Sequence, residues 1–325
     1  MTKKTETAPA LAIMTTDLRK AYGRKTVLDG IDLRVPAGTV FALLGPNGAG
    51  KTTTVRILST LIEADGGQAS VAGHDLAAAP EAVRRVIGVT GQFSAVDNLL
   101  SARENLILMA DLYRLGRRPG RHRAAALLER FGLSEAADQP ISTYSGGMRR
   151  RLDLAMTLVG EPRVIFLDEP TAGLDPRSRR ELWAIVRELV ADGVTIFLTT
   201  QYLEEADQLA GLIGVLDGGR IVAEGTVAEL KRLVPGGHIT VHFAGPAALT
   251  AAAVALAATG LVNEERATVA VDGDALTAQL PSDGSIGSLR SVLDRLDAAG
   301  IAVEDLSVHT PDLDDVFLAL TGDRR

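Results

Sequence analysis

The sequence predicts an α/β domain followed by a smaller α+β domain, and three features indicate this organisation. Short apolar strands alternate with helical segments between Val40 and Leu216, as expected for a parallel sheet covered by helices on both faces. A glycine-rich loop joins the first of these strands to a helix. The segment from Leu233 to Gly237 contains a proline and two glycines, which is typical of a domain boundary.

The first domain is predicted to span residues 11–232, after a disordered tail at residues 1–10. Residues 92–158 have apolar side chains at helical spacing and no convincing strand, so we expect a helical insertion there. The predicted strands are Ala12 to Tyr22, Thr26 to Val35, Val40 to Leu44, Gln68 to Ala72, Val86 to Thr90, Val164 to Leu167, Thr195 to Thr199 and Ile213 to Leu216. The predicted helices are Thr53 to Leu61, Arg177 to Ala191 and Leu203 to Ala210.

The second domain, residues 238–321, has a β-α-β-β-α-β order that resembles a small ferredoxin-like unit. It contains no motif that connects to chemistry. Its predicted strands are Ile239 to Phe243, Ala267 to Val271, Ala275 to Leu280 and Val303 to Val308, and its helices are Ala247 to Ala258, Ile286 to Ala299 and Leu313 to Leu320.

The composition of the 325 residues is that of a globular protein, with 46% hydrophobic and 23% charged residues. The net charge of −7 argues against wholesale nucleic-acid binding and leaves local basic patches open. There is no cysteine, which excludes disulfides, thiolate metal sites and a cysteine nucleophile. The long uncharged stretch between His242 and Glu264 is mostly alanine and is not a convincing membrane span, so any membrane work is expected from a partner.

A phosphate-binding loop follows the apolar strand that ends at Leu44. Glycines there can turn backbone N–H groups around a phosphate, and the next helix directs its positive end at the same point. Lys51 would reach the β- and γ-phosphates, and the Thr52 hydroxyl would bind Mg²⁺. The loop runs Gly45-Pro46-Asn47-Gly48-Ala49-Gly50-Lys51-Thr52, with Thr53 continuing into the helix, and it indicates a nucleotide without indicating the reaction.

Two further segments carry chemistry. The buried strand from Val164 ends in Asp168, which can hold the metal directly or through water, and Glu169, which can deprotonate the attacking water. Ser145 is a good helix N-cap, and Gly146 and Gly147 allow close approach of an anion to the helix start, although Ser-Gly-Gly alone is a weak signal. For at least two of the three arginines that follow, 149–151, we expect a solvated helix face.

Together these motifs resemble the ATP-binding subunits of ABC transporters over about residues 11–230. Two further segments are similar to the daunorubicin-resistance (DrrA-type) drug-exporter ATPases of actinobacteria, namely Thr199 to Asp207 and Leu313 to Gly322. The motifs that carry the family resemblance are Gly45 to Thr52, Gln92, Ser145-Gly146-Gly147, Leu167-Asp168-Glu169-Pro170-Thr171 and Gly173-Leu174-Asp175-Pro176.

The resemblance implies a P-loop NTPase of the ABC cassette type, with a mixed sheet core, an antiparallel β subdomain and a helical insertion. It implies that two copies pack head to tail, so that ATP and Mg²⁺ lie between the Lys51 loop of one and the Ser145 segment of the other. It also implies that Tyr22 stacks on adenine, that Gln92 touches Mg²⁺ or the water and transmits nucleotide state to the insertion, and that Asp175 supports the partner's site.

The chain departs from the family pattern in two segments. Gln201 stands where a histidine is usual; its amide can donate to the γ-phosphate but cannot become cationic, which favours Glu169 as the main base. On either side of the Ser-Gly-Gly segment, Tyr144 replaces the commoner leucine and Met148 replaces the commoner glutamine. Met148 could weaken a polar contact to the ribose or to a neighbour, and so weaken the association of the two copies around ATP.

The resemblance implies an ATP hydrolase that powers export of a hydrophobic drug or natural product. The partner would be an integral membrane permease, and the chain would lie peripherally on the cytoplasmic face of the cell membrane. Two alternatives remain open: an ABC system for another substrate, such as a lipid, a polysaccharide or an imported solute, and a ribosome-associated ABC ATPase. Proteins of the latter type generally carry two cassettes in one chain, and this chain has a single Lys51-type loop.

Overall fold

The computed structural model describes residues 10–91, 95–233, 237–257, 270–282, 285–309 and 311–321. The chain divides into two compact units, Met1–Val227 and Ala228–Arg325. This division precedes the predicted boundary at residues 233–237, because most of the short helix Val227–Lys231 is grouped with the second unit. Residues 234–236 of that boundary, and residues 1–9 of the predicted tail, lie outside the described residues.

The first unit contains ten strands and seven helices among its described residues, in addition to short 3-10 turns. The strands are β1 (Leu11–Tyr22), β2 (Lys25–Pro36), β3 (Val40–Leu44), β4 (Gly66–Val71), β5 (His74–Asp75), β6 (Ile87–Thr90), β7 (Val164–Asp168), β8 (Thr195–Thr200), β9 (Leu212–Asp217) and β10 (Arg220–Gly225). The helices are α1 (Lys51–Leu58), α2 (Pro80–Val86), α3 (Ala102–Leu112), α4 (Arg117–Arg130), α5 (Gly146–Thr157), α6 (Pro176–Ala191) and α7 (Leu203–Leu209).

Two sheets organise this unit. One is antiparallel, in the order β2-β1-β4-β5, and the other has six strands in the order β10-β9-β3-β8-β7-β6. Within the six-stranded sheet only β10 pairs antiparallel, so the sheet is mixed, as predicted. The parallel register pairs Leu44 with Thr200 and Asp168 with Thr199, which brings the carboxyl ends of β3, β7 and β8 to one edge.

The centre of the six-stranded sheet is buried on both faces. Every residue of β3, β7 and β8 is buried, which suits strands covered by helices on both sides. Phe41 stacks on Phe197 at 5.4 Å between ring centroids, and Phe166 lies tilted at 5.7 Å from the same ring. Burial of each phenylalanine stabilises the fold by roughly 1.5–3 kcal/mol. This rigid core fixes the three strand ends that carry the predicted site.

The insertion between β6 and β7 is helical, as predicted. Its described part, residues 95–163, contains α3, α4 and α5 and no strand. Helix α3 begins with a reciprocal cap, in which the side chain of Ser101 accepts from the Glu104 N–H and the Glu104 carboxylate accepts from the Ser101 N–H. The insertion therefore starts at a well-defined point soon after β6.

The second unit has the predicted ferredoxin-like order. Its sheet is antiparallel, in the order β12-β13-β11-β14, so the first and third of its strands lie at the centre. Of the helices that the structure describes, none combines the length and the apolar character needed to cross a membrane. The elements are α8 (Val227–Lys231), β11 (His238–His242), α9 (Pro246–Ala257), β12 (Ala270–Asp272), β13 (Thr277–Pro281), α10 (Ile286–Ala298), β14 (Asp305–His309) and α11 (Leu313–Thr321).

Candidate nucleotide-binding site

The glycine-rich loop connects β3 to α1 at the edge where β7 and β8 also end. The loop is anchored to β8 by the Gly45 N–H, which donates to the Thr200 carbonyl at 3.3 Å. Gly50 forms the N-cap of α1 with φ +116°, and a Cβ there would lie 2.6 Å from Cδ2 of Leu28. Only glycine combines this φ with this close approach, so the loop conformation depends on Gly50.

Lys51 extends from the first turn of α1 into the loop. Its ammonium donates to the carbonyls of Gly45 at 2.8 Å and Pro46 at 3.1 Å, and it lies 3.7 Å from Oε1 of Glu169. The side chain is only 4% exposed. Burial lowers the pKa of Lys51, and the charges of Glu169 and Asp168 oppose that shift. A buried cation therefore lies beside the acids at the end of β7.

Thr52 and Asp168 form the oxygen-rich part of the site. The Thr52 hydroxyl donates to Oδ1 of Asp168 at 3.2 Å, and the Thr199 hydroxyl donates to the same oxygen at 2.5 Å. Hydroxyl and carboxylate oxygens are the donors that Mg²⁺ prefers, and Mg²⁺ commonly binds one carboxylate together with substrate phosphates. The donor set of Thr52 and Asp168 therefore fits Mg²⁺.

Glu169 has a backbone conformation that is uncommon for a residue with a side chain. Its φ is +49°, in the left-handed region. The Glu169 N–H donates to the carbonyl of Thr199 at 3.0 Å and to its hydroxyl at 3.2 Å. The side chain is 11% exposed and faces the Lys51 ammonium. Strain of this kind is concentrated at functional sites, where surrounding contacts maintain it.

The remaining predicted nucleotide contacts are Gln201, Tyr22 and Gln92. Gln201 follows β8 directly, its side chain is exposed, and it has no side-chain hydrogen bond within the described part of the chain. Tyr22 ends β1 with half of its surface exposed, and the Lys20 ammonium lies 5.7 Å from its ring centroid. Gln92 lies outside the described residues.

The Ser-Gly-Gly segment and the Asp175 segment lie next to each other. Ser145 caps α5 as predicted, accepting from the Met148 N–H at 3.2 Å. Asp175 caps α6, accepting from the N–H groups of Arg177 and Ser178 at 3.0 Å and from the Ser178 hydroxyl at 2.7 Å. These hydrogen bonds, led by the one from the Ser178 N–H, lower the pKa of Asp175. A Cβ on Gly147 would lie 2.5 Å from the Ser178 Oγ, so the two helix starts are in close contact.

Comparison with known proteins decides the family. The family model described as ABC transporter matches residues 28–172. The chain is 51% identical to a daunorubicin resistance ATP-binding protein of Streptomyces coeruleorubidus, over 97% of both chains. It is 46% identical to the daunorubicin/doxorubicin resistance ATP-binding protein of Streptomyces peucetius, over 97% of this chain and 94% of that protein. The chain belongs to the ABC transporter ATP-binding subunits.

A solved structure supports the same family assignment. It is an ATP-binding subunit of an ABC transporter with a TM-score of 0.62 and 31% identity, covering 69% of this chain and 93% of that chain. The predicted family and the predicted cassette fold are therefore confirmed. As an ABC ATP-binding subunit, the chain binds ATP and hydrolyses it for transport.

Sequence reasoning missed one central side chain of this ABC subunit, Arg150. The prediction that at least two of Arg149, Arg150 and Arg151 form a solvated helix face is wrong, because all three arginines are partly buried. The Arg149 guanidinium donates to the Ser142 carbonyl at 3.4 Å, and Arg151 pairs with Glu181 at 3.6 Å. Arg150 turns inward to the end of β7. In the sequence, the run of three arginines gave no indication of which one would do so.

Of the two departures near the Ser-Gly-Gly segment, Tyr144 has a clear packing role in this ABC subunit. Its ring is buried, and its hydroxyl donates to the Ala136 carbonyl at 2.6 Å. Burial raises the pKa of Tyr144, so the phenol stays protonated and can donate. Tyr144 thus ties the start of α5 to the preceding turn of the insertion. Met148 is half-buried on the first turn of α5.

Proposed function

We propose that this ABC subunit binds and hydrolyses ATP to power efflux of a hydrophobic drug or natural product through a separate membrane protein. The observation that carries the proposal is the identity of 51%, over 97% of both chains, with a protein named for daunorubicin resistance. Such identity covers the second unit as well as the cassette, so the likeness is not confined to motifs that all ABC ATPases share.

Within one cassette, three groups act on the triphosphate. Lys51 neutralises the β- and γ-phosphates, exchanging its contacts with the loop carbonyls for phosphate oxygens. Thr52 and Asp168 would hold Mg²⁺, and the bound metal would neutralise charge that develops on the phosphate oxygens. Glu169 takes the proton of the attacking water. Its position supports this role, because the carboxylate oxygen Oε1 lies 3.7 Å from the Lys51 ammonium, the group expected to contact the γ-phosphate.

A second copy of the chain completes the site. The start of α5 at Ser145, Gly146 and Gly147 would donate N–H groups to the γ-phosphate bound by the other copy. Asp175, which caps α6 beside that segment, would support the same interface. ATP bound between two cassettes stabilises their association, and hydrolysis releases it.

The other predicted contacts belong to the same proposal. Tyr22 would stack on adenine, and its half-exposed ring is compatible with this role. Gln201 would donate its amide to the γ-phosphate. Gln92, outside the described residues, keeps its predicted role at Mg²⁺ or the attacking water.

The membrane partner would contact the helical insertion. Large apolar side chains are exposed on it at Leu108 and Leu112, which lie one turn apart on α3, and at Leu99 before that helix. We therefore place the subunit at the cytoplasmic face of the membrane, bound to an integral permease, and expect no nucleic-acid partner.

The proposal is tested by purifying the full-length chain from membranes and assaying ATP hydrolysis with and without hydrophobic drugs, daunorubicin among them. A stable complex with a membrane protein and hydrolysis stimulated by a drug are expected. Lys51→Ala should abolish hydrolysis. Arg85→Ala is the matched control, since it removes an exposed cation on α2 and should change nothing.

Two results would contradict export. Hydrolysis without any membrane partner, unaffected by every drug, would leave an ATPase with another role. A stable complex stimulated by a lipid or a polysaccharide, and not by drugs, would reassign the substrate.

A further inference from the structure

The turn at the end of β7 contains a residue whose conformation must be maintained by its neighbours. Glu169 has φ +49° and no glycine-like freedom to adopt it. On one side Thr199 accepts its N–H. Those bonds hold the peptide group between Asp168 and Glu169 at its N–H only, and they do not reach the backbone that follows Glu169.

The guanidinium of Arg150 binds the carbonyls on both sides of this residue. Its Nε donates to the Pro170 carbonyl at 2.8 Å and its Nη2 donates to the Asp168 carbonyl at 3.3 Å. These are the carbonyls of the residues immediately before and after Glu169. The side chain comes from α5, a helix of the insertion, and is only 11% exposed. The guanidinium presents its N–H donors in a fixed planar fork, so it holds the two carbonyls in one arrangement, whereas an ammonium on a flexible stem has no such fixed geometry.

Asp153, one turn further along α5, orients this guanidinium. Its Oδ2 accepts from Nη1 of Arg150 at 3.2 Å, and its Oδ1 accepts from the Ala95 N–H at 3.0 Å. Nη1 also donates to the Gly91 carbonyl at 2.9 Å. Asp153 is 3% exposed, and a buried charge pair of this kind needs such satisfied hydrogen bonds to be tolerated. The pair thus joins α5 to Gly91, Ala95 and the end of β7.

We propose that Arg150, held by Asp153, is a positioning residue that fixes the direction of the Glu169 carboxylate. The inference rests on the proposed role of Glu169 as the base. Arg150 does not touch the nucleotide in this scheme. It holds the Asp168 carbonyl, which belongs to the peptide group before Glu169, and the Pro170 carbonyl, which lies one peptide group beyond Glu169, so that the carboxylate is aligned with the attacking water.

The test compares Arg150→Lys with the wild-type subunit in the same full-length preparation. Misalignment of a catalytic group lowers turnover while leaving substrate affinity intact, so kcat should fall about tenfold to a hundredfold. The ATP dissociation constant and KM should change less than about twofold, since the contacts that bind ATP equally in the ground state and the transition state are not affected. Asp153→Asn should shift kcat in the same direction by a smaller factor.

Arg123→Lys is the matched control. Arg123 also donates to a backbone carbonyl, that of Leu158 at 2.7 Å, and pairs with an acid, Glu161, at 3.4 Å. It contacts no part of the turn that carries Glu169 among the residues that the structure describes. Its substitution should leave kcat within about twofold of wild type, because surface and peripheral pairs contribute little.

A double variant separates positioning from a merely structural role. In single-turnover hydrolysis of labelled ATP, Arg150→Lys added to Glu169→Gln should lower the residual rate less than about twofold, because no base remains to be aligned. Three results would overturn the inference. The double variant could lose as much further rate as Arg150→Lys loses alone, Arg150→Lys could keep the wild-type kcat, or its ATP affinity could fall in parallel with kcat. If Arg150→Lys does not fold, the same comparison with Asp153→Asn decides. Normal turnover of Glu169→Gln alone would instead refute the base assignment in the proposed function.

Discussion

The hydroxyl of Thr199 donates to Oδ1 of Asp168 at 2.5 Å and accepts the N–H of Glu169 at 3.2 Å. One buried side chain on β8 therefore contacts the carboxylate of Asp168 at the end of β7 and the backbone of Glu169, the residue that follows. The parallel register of β7 and β8 places Thr199 opposite Asp168, so this arrangement follows directly from the sheet. The site depends on β8 as much as on the strand that carries the acids.

Substitution of Thr199 by valine removes the hydroxyl while nearly keeping the shape of the side chain, and it should impair ATP hydrolysis. Asp168 would lose one of its two hydroxyl donors, and we expect kcat to fall about tenfold, equivalent to about 1.4 kcal/mol, with a weaker apparent affinity for Mg²⁺. Stability should fall by about 1–3 kcal/mol, because a buried oxygen loses a partner. Thr199→Ser, which keeps the hydroxyl, is the control. Steady-state ATPase titrated with Mg²⁺ measures both effects, and unchanged kinetics in Thr199→Val would show that the hydroxyl is dispensable.

Gly147 and Gly146 should respond differently to alanine, although both lie in the first turn of α5. A Cβ on Gly147 would lie 2.5 Å from Oγ and 2.9 Å from Cβ of Ser178, whereas one on Gly146 would meet only Leu174 at 3.6 Å. Gly147→Ala should therefore destabilise the cassette by about 1–3 kcal/mol through overpacking. Gly146→Ala should be neutral or stabilise by up to about 1 kcal/mol through helix propensity. Urea unfolding of both variants measures the difference, and equal midpoints would contradict the close packing of α5 on α6.

Glu205 should make stability depend on pH. This fully buried carboxyl on α7 accepts from Nε1 of Trp183 at 3.3 Å, and burial raises its pKa above the ordinary value of 4.5. The folded chain then holds a proton that the unfolded chain has lost, so stability falls as pH rises from about 4.5 through the raised pKa. Glu205→Gln should match wild type below this window and exceed it in stability at pH 8.

The control for this prediction is Glu204→Gln, which removes an exposed carboxylate from the same helix. This substitution should change the free energy of unfolding by no more than about 0.5 kcal/mol at every pH. Denaturant unfolding at several pH values makes the comparison. A constant difference between wild type and Glu205→Gln across the range would mean that Glu205 has the same pKa folded and unfolded.

The sequence predicted the cassette's main strands and helices because they are long or strongly apolar. The short elements β5, α2, β10 and α8 were not predicted. In α2 only Val83 is buried, and β10 has a single fully buried residue, Gly225. Neither segment therefore shows a clear hydrophobic periodicity in the sequence. Their structure is imposed by pairing and packing with distant parts of the chain, such as β9 against β10.

The candidate site was predictable where its chemistry is local. Lys51, Thr52, Asp168 and Glu169 belong to continuous motifs, and the fold brings them together. Arg150 and Thr199 were not assigned a role, because their partners lie far along the chain. Arg150 binds carbonyls 18 and 20 residues away, and Thr199 binds an acid 31 residues away. Contacts of this kind can be predicted only when the register of the sheet and the direction of α5 are known.

The departure at Gln201 gives a final prediction. Its exposed side chain directly follows β8, where a histidine would also fit without burial. Gln201→His should remain an active ATPase, because the proposed base is Glu169 and not residue 201. The substituted imidazole should introduce a pH dependence that wild type lacks, with turnover rising below about pH 6.5 as the histidine becomes cationic and donates more strongly to the γ-phosphate. Steady-state ATPase between pH 5.5 and 8.5 tests this, normalised to ATP binding at each pH. An inactive Gln201→His protein that folds and binds ATP would show that residue 201 has a more specific role than donating a hydrogen bond.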